Sequence, residues 1–424
     1  MPFATIAPDG TLLEVVDELP DALTAANRAG FTQVQLEEKP AEYTSTELGA
    51  SSQTMPDAAL RAAGLTPITR EQIDAMSKQE AYRRILPFIP KGRNREGGFM
   101  PITAYNTVPG MIRRWIGQNY KTAKETPERP SDVQGLSLTP HSILRDFLGG
   151  QTNVKTLCLG SSPACRAACL VYSGQNAADP YNLQIKIGRT HALVAEPAAF
   201  VRILIEAIGM HLRAAPSKPW VRAIDGRTQS GTGVDQFFRL NVFQDIPWEL
   251  FTPWLFSYRL QHRSGIIDFG QASFYDYTKV PGRVTPPNYD LTFSYSGSNQ
   301  GFVEEELQRG RRIAVVFLLP GSYRQRRVAP LPGRYMGFPV VDGDVSDVRP
   351  RDPAPSVVGL RWKLPKGTET GRDQASSAFV VPCEIIDGQL IATQSARQEP
   401  IHDVDAEPEG HDREYQRWLQ TWAE

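Results

Sequence analysis

Three of the four cysteines of this chain lie within one stretch of twelve residues, Cys158-Leu-Gly-Ser-Ser-Pro-Ala-Cys165-Arg-Ala-Ala-Cys169. So dense a group constrains the fold, because thiols that bind a metal have to be brought to one point. Cys165 and Cys169 are four residues apart in an alanine-rich run, a spacing that puts both thiols on one face of a helix. Gly160 and Pro163 favour a loop that can return Cys158 to that face. The stretch therefore predicts a three-thiol site.

Two kinds of centre fit three thiols. A tetrahedral zinc needs a fourth ligand, for which the chain offers His191, 22 residues beyond Cys169, and also His211 and Cys383. A [4Fe–4S] cluster held by three cysteines leaves one iron open for a small molecule such as S-adenosylmethionine. The structural alternative is a group of buried free thiols with a chance disulfide.

The remaining composition is typical of a soluble globular protein. Of its 424 residues 41% are hydrophobic and 22% are charged, which allows one large domain or two to three smaller ones. The formal net charge of −1 excludes a globally basic nucleic-acid binder. Few cysteines, no leader pattern and no apolar run of membrane-spanning length favour a cytoplasmic protein without membrane contact. Nothing in the sequence indicates the oligomeric state.

One basic patch has the composition of a nucleic-acid contact. It consists of Arg324, Arg326, Arg327 and Arg334, with Tyr323 and Tyr335 between them. Arginines with interleaved aromatic residues suit a phosphate backbone and its bases. A second basic patch, within residues 83–114, is interpreted as solvated surface. We therefore predict that the four arginines contact DNA or RNA.

Changes in hydrophobic pattern divide the chain into three parts. Residues 1–130 carry scattered prolines and polar runs, which predict a loosely structured extension with short helices. Residues 131–385 alternate between apolar strands and helices. This alternation predicts an α/β core on a parallel sheet, either barrel-like or open. Residues 386–424 are predicted to form a tail with a surface helix.

The individual elements follow from the periodicity of apolar residues. Helices are predicted at 56–64, 70–85, 108–118, 182–194, 197–212, 245–263, 300–308 and 412–423. Strands are predicted at 219–225, 237–243, 273–278, 289–294, 312–319, 337–341 and 356–361.

Polar residues at the ends of these strands are the candidates for catalysis, because ligands of parallel α/β folds bind there. The catalytic candidates are Asn241, Asp245, Asp276 and Lys279. Asp245 could form a carboxylate pair with Glu249 or simply cap a helix. Asp276 lies inside a strand, where a carboxylate must be paired or functional. The absence of a phosphate-binding loop, a dinucleotide fingerprint and a nucleophile elbow argues against the standard nucleotide-dependent enzymes and serine hydrolases.

A series of short motifs follows along the chain. They are Leu136-Ser-Leu-Thr-Pro140, the three-cysteine stretch, Arg189-Thr190, Arg239-Leu-Asn241, Asp245-Ile-Pro-Trp-Glu249, Phe274-Tyr-Asp-Tyr-Thr-Lys279, Asn288-Tyr289, Leu291-Thr-Phe-Ser294, Asp342-Gly-Asp344 and Val358-Gly-Leu360. In this order, over residues 130–382, the chain resembles the gene product 88 family of bacteriophages and mobile elements. The resemblance implies a phage, prophage or plasmid gene and hence a link to nucleic acid. It also supports the three cysteines as the site, with the four catalytic candidates as neighbours.

Three functions fit these features. The first is an enzyme with a [4Fe–4S] cluster, similar to radical S-adenosylmethionine enzymes. The second resembles the tRNA-guanine transglycosylases and their phage DNA counterparts. There the cysteines and His191 would hold zinc, Asp245 or Asp276 would be the nucleophile and the other the general acid or base, and a duplex base would be flipped. The third is a non-enzymatic DNA-binding or host-interaction protein in which zinc staples a loop. We predict a metal- or cluster-dependent enzyme acting on nucleic acid, with zinc and iron–sulfur left open.

Overall fold

The computed structural model describes the middle of the chain almost continuously and its two ends in part. The described residues are 3–6, 12–16, 35–38, 54–93, 99–101, 103–118, 130–139, 156–158, 160–162, 164–165, 169, 180–224, 227–297, 299–362, 379–387 and 389–393. They fall into two compact units, residues 1–51 and residues 52–424.

The first unit contains a small antiparallel sheet. Its strands are β1 (Phe3–Ile6), β2 (Leu12–Val16) and β3 (Gln35–Glu38). The middle strand is β1, which pairs with both of the others. With four or five residues each, these strands are at the short end of the usual range.

The second unit begins with helices that belong to its main hydrophobic core. They are α1 (Thr54–Ala62), α2 (Arg70–Asp74), α3 (Lys78–Ile85) and, after the hairpin of β4 (Lys91–Arg93) and β5 (Phe99–Pro101), α4 (Val108–Trp115). The predicted helix 70–85 is divided because Ser77 caps α3 by accepting a hydrogen bond from the backbone N–H of Glu80. Ile73, Ile85 and Trp115 are completely buried in the main core. This core therefore includes residues on the N-terminal side of residue 130.

The elements that follow build the central sheet and its connections. They are β6 (Ser131–Gly135), α5 (Pro180–Ala195), α6 (Pro197–Ala214), β7 (Pro219–Ile224), β8 (Arg227–Thr232), β9 (Asp235–Arg239), α7 (Trp248–Phe251), β10 (Arg259–His262), β11 (Gly265–Asp268), β12 (Ser273–Thr278), β13 (Tyr289–Ser294), α8 (Gln300–Gln308), β14 (Arg312–Leu318), α9 (Tyr323–Arg326), β15 (Arg334–Tyr335), β16 (Phe338–Asp342), β17 (Ser356–Arg361), β18 (Val380–Ile386) and β19 (Gln389–Ala392). Among the described helices, none is long and apolar enough to cross a bilayer.

The central sheet has the order β15-β16-β17-β14-β13-β12-β9-β6. Every neighbouring pair from β16 to β6 is parallel, and β14 also pairs in parallel with β18. The prediction of an α/β fold on a mostly parallel sheet is confirmed. Within the described residues the first and last strands do not pair, so the sheet is open and not a closed barrel.

Helices cover one face of this sheet. Strands β6, β9, β12, β13 and β14 follow one another in chain order, and right-handed crossovers place successive connections on the same side. On this helical face Phe238 and Phe274 pack in one core with Phe200 of α6. Farther along, Val303 of α8 packs with Ile313 of β14. We call the opposite side, which presents Val133, Phe237 and Tyr275, the far face.

One predicted helix is wrong, and one predicted strand is present but lies outside the central sheet. The helix predicted at 245–263 is replaced by the single turn of α7, a 3-10 turn at Pro253–Ser257 and the hairpin of β10 and β11. Pro253 has no N–H to continue the helix, and Thr252 before it has φ −138° and ψ 67°. The strand predicted at 219–225 forms the separate hairpin of β7 and β8. The predicted C-terminal helix, 412–423, lies outside the described residues.

The packing of α6 predicts a large effect of truncation at Phe200. This side chain is completely buried, and its ring centroid lies 4.9 Å from that of Trp115. Phe200→Ala is expected to lower the free energy of unfolding by about 3–5 kcal/mol, since it leaves a cavity. Val284, which is 82% exposed, is the control: Val284→Ala should change that free energy by about 0.5 kcal/mol or less. Urea unfolding measures both, and equal effects would contradict this packing.

Candidate functional site

A buried arginine joins the loops that follow β9 and β12. Arg283 is 1% exposed. Its Nε and Nη2 each donate to a carboxylate oxygen of Glu249 at 2.7 Å, and its Nη1 donates to Asp245 Oδ1 at 3.1 Å. Nη2 also donates to the hydroxyl of Tyr289 at 3.0 Å. Because buried charges need partners, these contacts fix the two loops against each other.

Asp276 links β12 to the strands on both sides. Its side chain is completely buried and accepts hydrogen bonds from the backbone N–H of Asn241 and from the hydroxyl of Tyr289, both at 2.7 Å. Burial raises the pKa of Asp276 to about 7, although these hydrogen bonds and the charges of Arg239 and Arg283 act in the opposite direction. Both carboxylate oxygens are thus used to position neighbouring strands.

Asn241 shapes the turn after β9. Its Nδ2 donates to the carbonyl oxygen of Ile246 at 2.9 Å, and its Oδ1 accepts from Ile246 N–H and from Trp248 Nε1, each at 3.1 Å. The side-chain amide therefore holds the loop that carries Asp245 in one conformation. In this site Asn241 is a positioning residue.

The cysteine stretch contacts the loops at the carboxyl ends of the central strands. The thiol of Cys158 donates to the carbonyl oxygen of Phe243, after β9, at 3.4 Å. The hydroxyl of Ser162 donates to the carbonyl oxygen of Ser296, after β13, and accepts from the backbone N–H of Cys165. The stretch therefore spans neighbouring strand ends.

Gly160 gives the stretch a close contact with the loop after β12. A Cβ added at this position would lie 2.5 Å from the carbonyl oxygen of Lys279. No side chain fits at that distance, so only glycine allows the backbone to approach this closely. The backbone of Lys279 therefore packs directly against Gly160, two residues after Cys158.

The structure brings the three thiols, Asp245 and Lys279 within electrostatic reach of one another. Burial lowers the pKa of Lys279, but the neighbouring Cys165, Asp245, Cys158 and Cys169 raise it overall. Burial, and then the charges of Cys169 and Asp245, raise the pKa of Cys158 well above its ordinary value, whereas Lys279 lowers it. A backbone contact ties the same groups together, since Lys279 N–H donates to Asp245 Oδ2 at 2.6 Å. The positive charge of Lys279 therefore acts on all three thiols.

The candidates for a fourth ligand lie in other parts of the fold. The ring of His191 packs edge-on against Phe88 at 4.7 Å. His211 is 3.9 Å from the carboxylate of Asp132, near the start of β6 and thus at the amino end of the sheet. Cys383 is buried in the core formed with α8. Among the described residues, no group of three or more His, Cys, Asp or Glu side chains is arranged to hold a metal ion.

The four arginines predicted to contact nucleic acid belong to a basic loop, residues 323–334. Arg324, Arg327 and Arg334 are exposed, and Arg326 is half-buried. The ion pairs found among the described residues include none of these four. The loop begins after the carboxyl end of β14, which runs parallel to β13, and thus at the edge that the cysteine stretch contacts. It ends at Arg334, which pairs with Pro339 near the start of β16.

Sequence reasoning missed Arg283, which organises this edge. It stands in the turn Pro281-Gly282-Arg283, a context typical of exposed loops. The sequence contained one indication of a buried cation, namely the carboxylate pair of Asp245 and Glu249. Two carboxylates in one buried turn require a cation, and Arg283 supplies it.

Comparison with known protein families identifies a match. A family model described as Gene product 88 matches residues 114–382, more than half of the 424 residues. The matched range contains the cysteine stretch, the basic loop and the parallel strands β6 to β17. No curated protein and no solved structure matches the chain.

The raised pKa of Asp276 predicts a pH-dependent stability. Native Asp276 titrates at about 7, against about 3.9 in an unfolded chain, so the native state binds more protons between these values. This group should therefore lower the free energy of unfolding by about 4 kcal/mol as the pH rises through that range. Asp276→Asn lacks the titration, and its pH profile should be flatter by this amount. Urea unfolding at several pH values tests it, with the half-exposed Asp268→Asn as control; parallel profiles for wild type and Asp276→Asn would contradict the assignment.

Proposed function

We propose that this chain, which belongs to the gene product 88 family, is a phage or mobile-element enzyme that acts on nucleic acid through an iron–sulfur cluster. Cys158, Cys165 and Cys169 would hold the cluster. The observation that carries the proposal is that these thiols and Lys279 are within electrostatic range of one another at the carboxyl edge of a parallel sheet. Enzymes with parallel α/β folds bind their ligands at this edge.

The donor set supports a cluster in preference to zinc. Three thiols suffice for a [4Fe–4S] cluster with one open iron, whereas zinc needs a fourth ligand. His191 packs against Phe88 and His211 lies at the opposite edge of the sheet, so neither supports a zinc site. When bound, the cluster would supply one-electron chemistry to a cofactor such as S-adenosylmethionine at its open iron.

The chain's own residues would hold and balance this centre. Lys279 would offset the negative charge of the thiolates, because a neighbouring ammonium favours the ionised form of a cysteine. Asp245 fixes the backbone of Lys279 through its hydrogen bond at 2.6 Å. Asn241 and Asp276 would act on the centre indirectly, because they shape the loop that carries Asp245. In this proposal the four strand-end candidates position the centre.

The transglycosylase-like function is the second candidate. The pKa of about 7 at Asp276 favours it, because a general acid or base works best when it titrates near the working pH. Against it, Asp276 is completely buried, and both of its oxygens accept hydrogen bonds from the protein. A nucleophile or a general base has to reach the substrate. The cluster enzyme therefore has the stronger support.

The basic loop is the proposed contact for DNA or RNA. Exposed guanidinium groups without a carboxylate partner are suited to phosphate groups. The loop begins at the edge of the sheet that the cysteines occupy, since it follows the carboxyl end of β14, and the cysteine stretch contacts the connections after β9, β12 and β13. A strand gripped by the loop would thus be presented to the same edge as the cluster.

The proposed cluster predicts the metal content of the protein. Material purified without oxygen should contain about four iron atoms and four sulfides per chain and absorb visible light. Cys165→Ala should lose most of both, whereas Cys383→Ala, in a different core, should keep them. Iron and acid-labile sulfide analysis measures the result. One zinc without iron would contradict the cluster and favour the transglycosylase-like or binding functions, and no metal after anaerobic reconstitution would contradict a metal centre altogether.

The proposed role of the basic loop predicts a charge-specific loss of binding. Arg324→Gln with Arg327→Gln should weaken nucleic-acid binding and reduce the slope of log affinity against log salt by about two. The control is Arg259→Gln with Arg263→Gln on the hairpin of β10 and β11, where both side chains are also exposed. Fluorescence anisotropy with labelled DNA and RNA at several salt concentrations tests it. Equal losses in the two double variants would show that the loop has no special role.

A further inference from the structure

We infer that the far face of the central sheet holds a binding site for a small ligand that carries a phosphate or carboxylate group. Arg239 of β9, Thr292 of β13 and Arg349 form the site. It is separate from the cysteine centre, and the inference does not rest on the proposed function. Its basis is a set of buried hydrogen-bond donors that have no partner.

A segment from the C-terminal half of the chain, residues 343–352, covers the far face. The carboxylate of Asp347 accepts from Arg239 Nη1 at 3.1 Å and from the hydroxyl of Tyr275 at 2.9 Å. Val348 packs with Tyr275 in a small apolar cluster. The following turn, Arg349–Arg351, lies against β13. These contacts place Arg349 next to the strand that carries Thr292.

Several buried polar groups on this face lack a hydrogen-bond partner among the described residues, and three of them form the proposed site. They are Nε of Arg239, Nε of Arg349 and Oγ1 of Thr292. All three side chains are more than nine-tenths buried. Buried donors are almost always satisfied, because an unmade hydrogen bond away from water costs free energy. Three of them on one face indicate a missing partner.

The three groups converge around one tyrosine. The guanidinium of Arg239 lies over the ring of Tyr277, 4.6 Å from its centroid. Thr292 is the partner of Tyr277 in the register of β12 and β13. Burial raises the pKa of Tyr277 to about 12, and the charge of Arg349 opposes this rise, which places Arg349 nearby as well. All three groups therefore belong to the same side of β12 and β13, where the proposed ligand would lie.

The chemistry of the unused groups identifies the ligand. Arg239 and Arg349 already have carboxylate partners, Asp347 and Asp352, so unused N–H groups, and not unpaired charge, define the site. A guanidinium Nε only donates, and a threonine hydroxyl can donate. Water would bring two hydrogens of its own, and the one unused acceptor that the described residues offer at this place is Oδ2 of Asp352 beside Arg349, so the unused donors outnumber the acceptors. A phosphate or carboxylate offers several acceptor oxygens and no obligatory donor, which matches the site.

Thr292→Val tests the inference with an almost isosteric change. Inorganic phosphate and acetate are the probes, titrated at matched ionic strength, with the thermal unfolding midpoint and isothermal calorimetry as readouts. At least one probe should bind wild type saturably, and Thr292→Val should weaken that binding by about tenfold or more. Without a probe, Thr292→Val should be at least as stable as wild type, because the change removes an unsatisfied hydroxyl. The control is Thr252→Val, where the hydroxyl is equally buried but already hydrogen-bonded.

Arg239→Lys is the second variant, since it keeps a positive charge beside Asp347 but removes Nε. It should also weaken binding by about tenfold or more. Binding of phosphate alone supports a phosphoryl ligand, and binding of acetate alone supports a carboxylate ligand. No saturable binding of either probe to wild type, or equal binding to wild type and both variants, overturns the inference. Cys165→Ala should bind the probe as wild type does, so this test is independent of the metal centre.

Discussion

The carboxyl edge of the sheet depends on the burial of one cation, Arg283, between two carboxylates. Asp245 and Glu249 would otherwise be like charges in a low-dielectric turn, and breaking such a buried pair costs about 3–5 kcal/mol. The carboxylates belong to the loop after β9, and the arginine belongs to the loop after β12. Their ion pairs therefore set the spacing of two loops that the cysteine stretch contacts at Phe243 and Lys279. The local order of the thiols follows from this pairing.

The two faces of the sheet are packed with different kinds of side chains. The helical face is an apolar core of large side chains such as Phe200, Phe238 and Phe274, as is usual for a parallel sheet. The far face instead buries arginines with carboxylates, among them Arg239 with Asp347 and Arg349 with Asp352. Buried ion pairs add little stability compared with apolar packing of the same volume. The proposed ligand accounts for the donors of this face that its ion pairs leave unpartnered.

Local patterns explain what could be predicted from the sequence. The strands β12, β13 and β14 and the helix α8 carry clear periodicity or apolar runs, and the structure has them within a residue of the predicted bounds. The cysteine stretch and the strand-end residues could be predicted for the same reason, because each pattern lies within a few consecutive residues. The helix predicted at 245–263 failed because its apolar residues lie in several short turns around Pro253. Arg283 and Arg349 could not be found, because their partners depend on which loops the fold brings together.

The segment 343–352 has a consequence for the order in which the protein is made. The far face joins residues as distant as Arg239 and Asp347, which are 108 positions apart. Synthesis proceeds from the N-terminus, and early parts of a chain begin to fold first. While the ribosome is still adding the last third of the protein, the polar side of β9 and β12 has no cover. The nascent chain therefore carries an open, water-filled face that only its own later residues can seal.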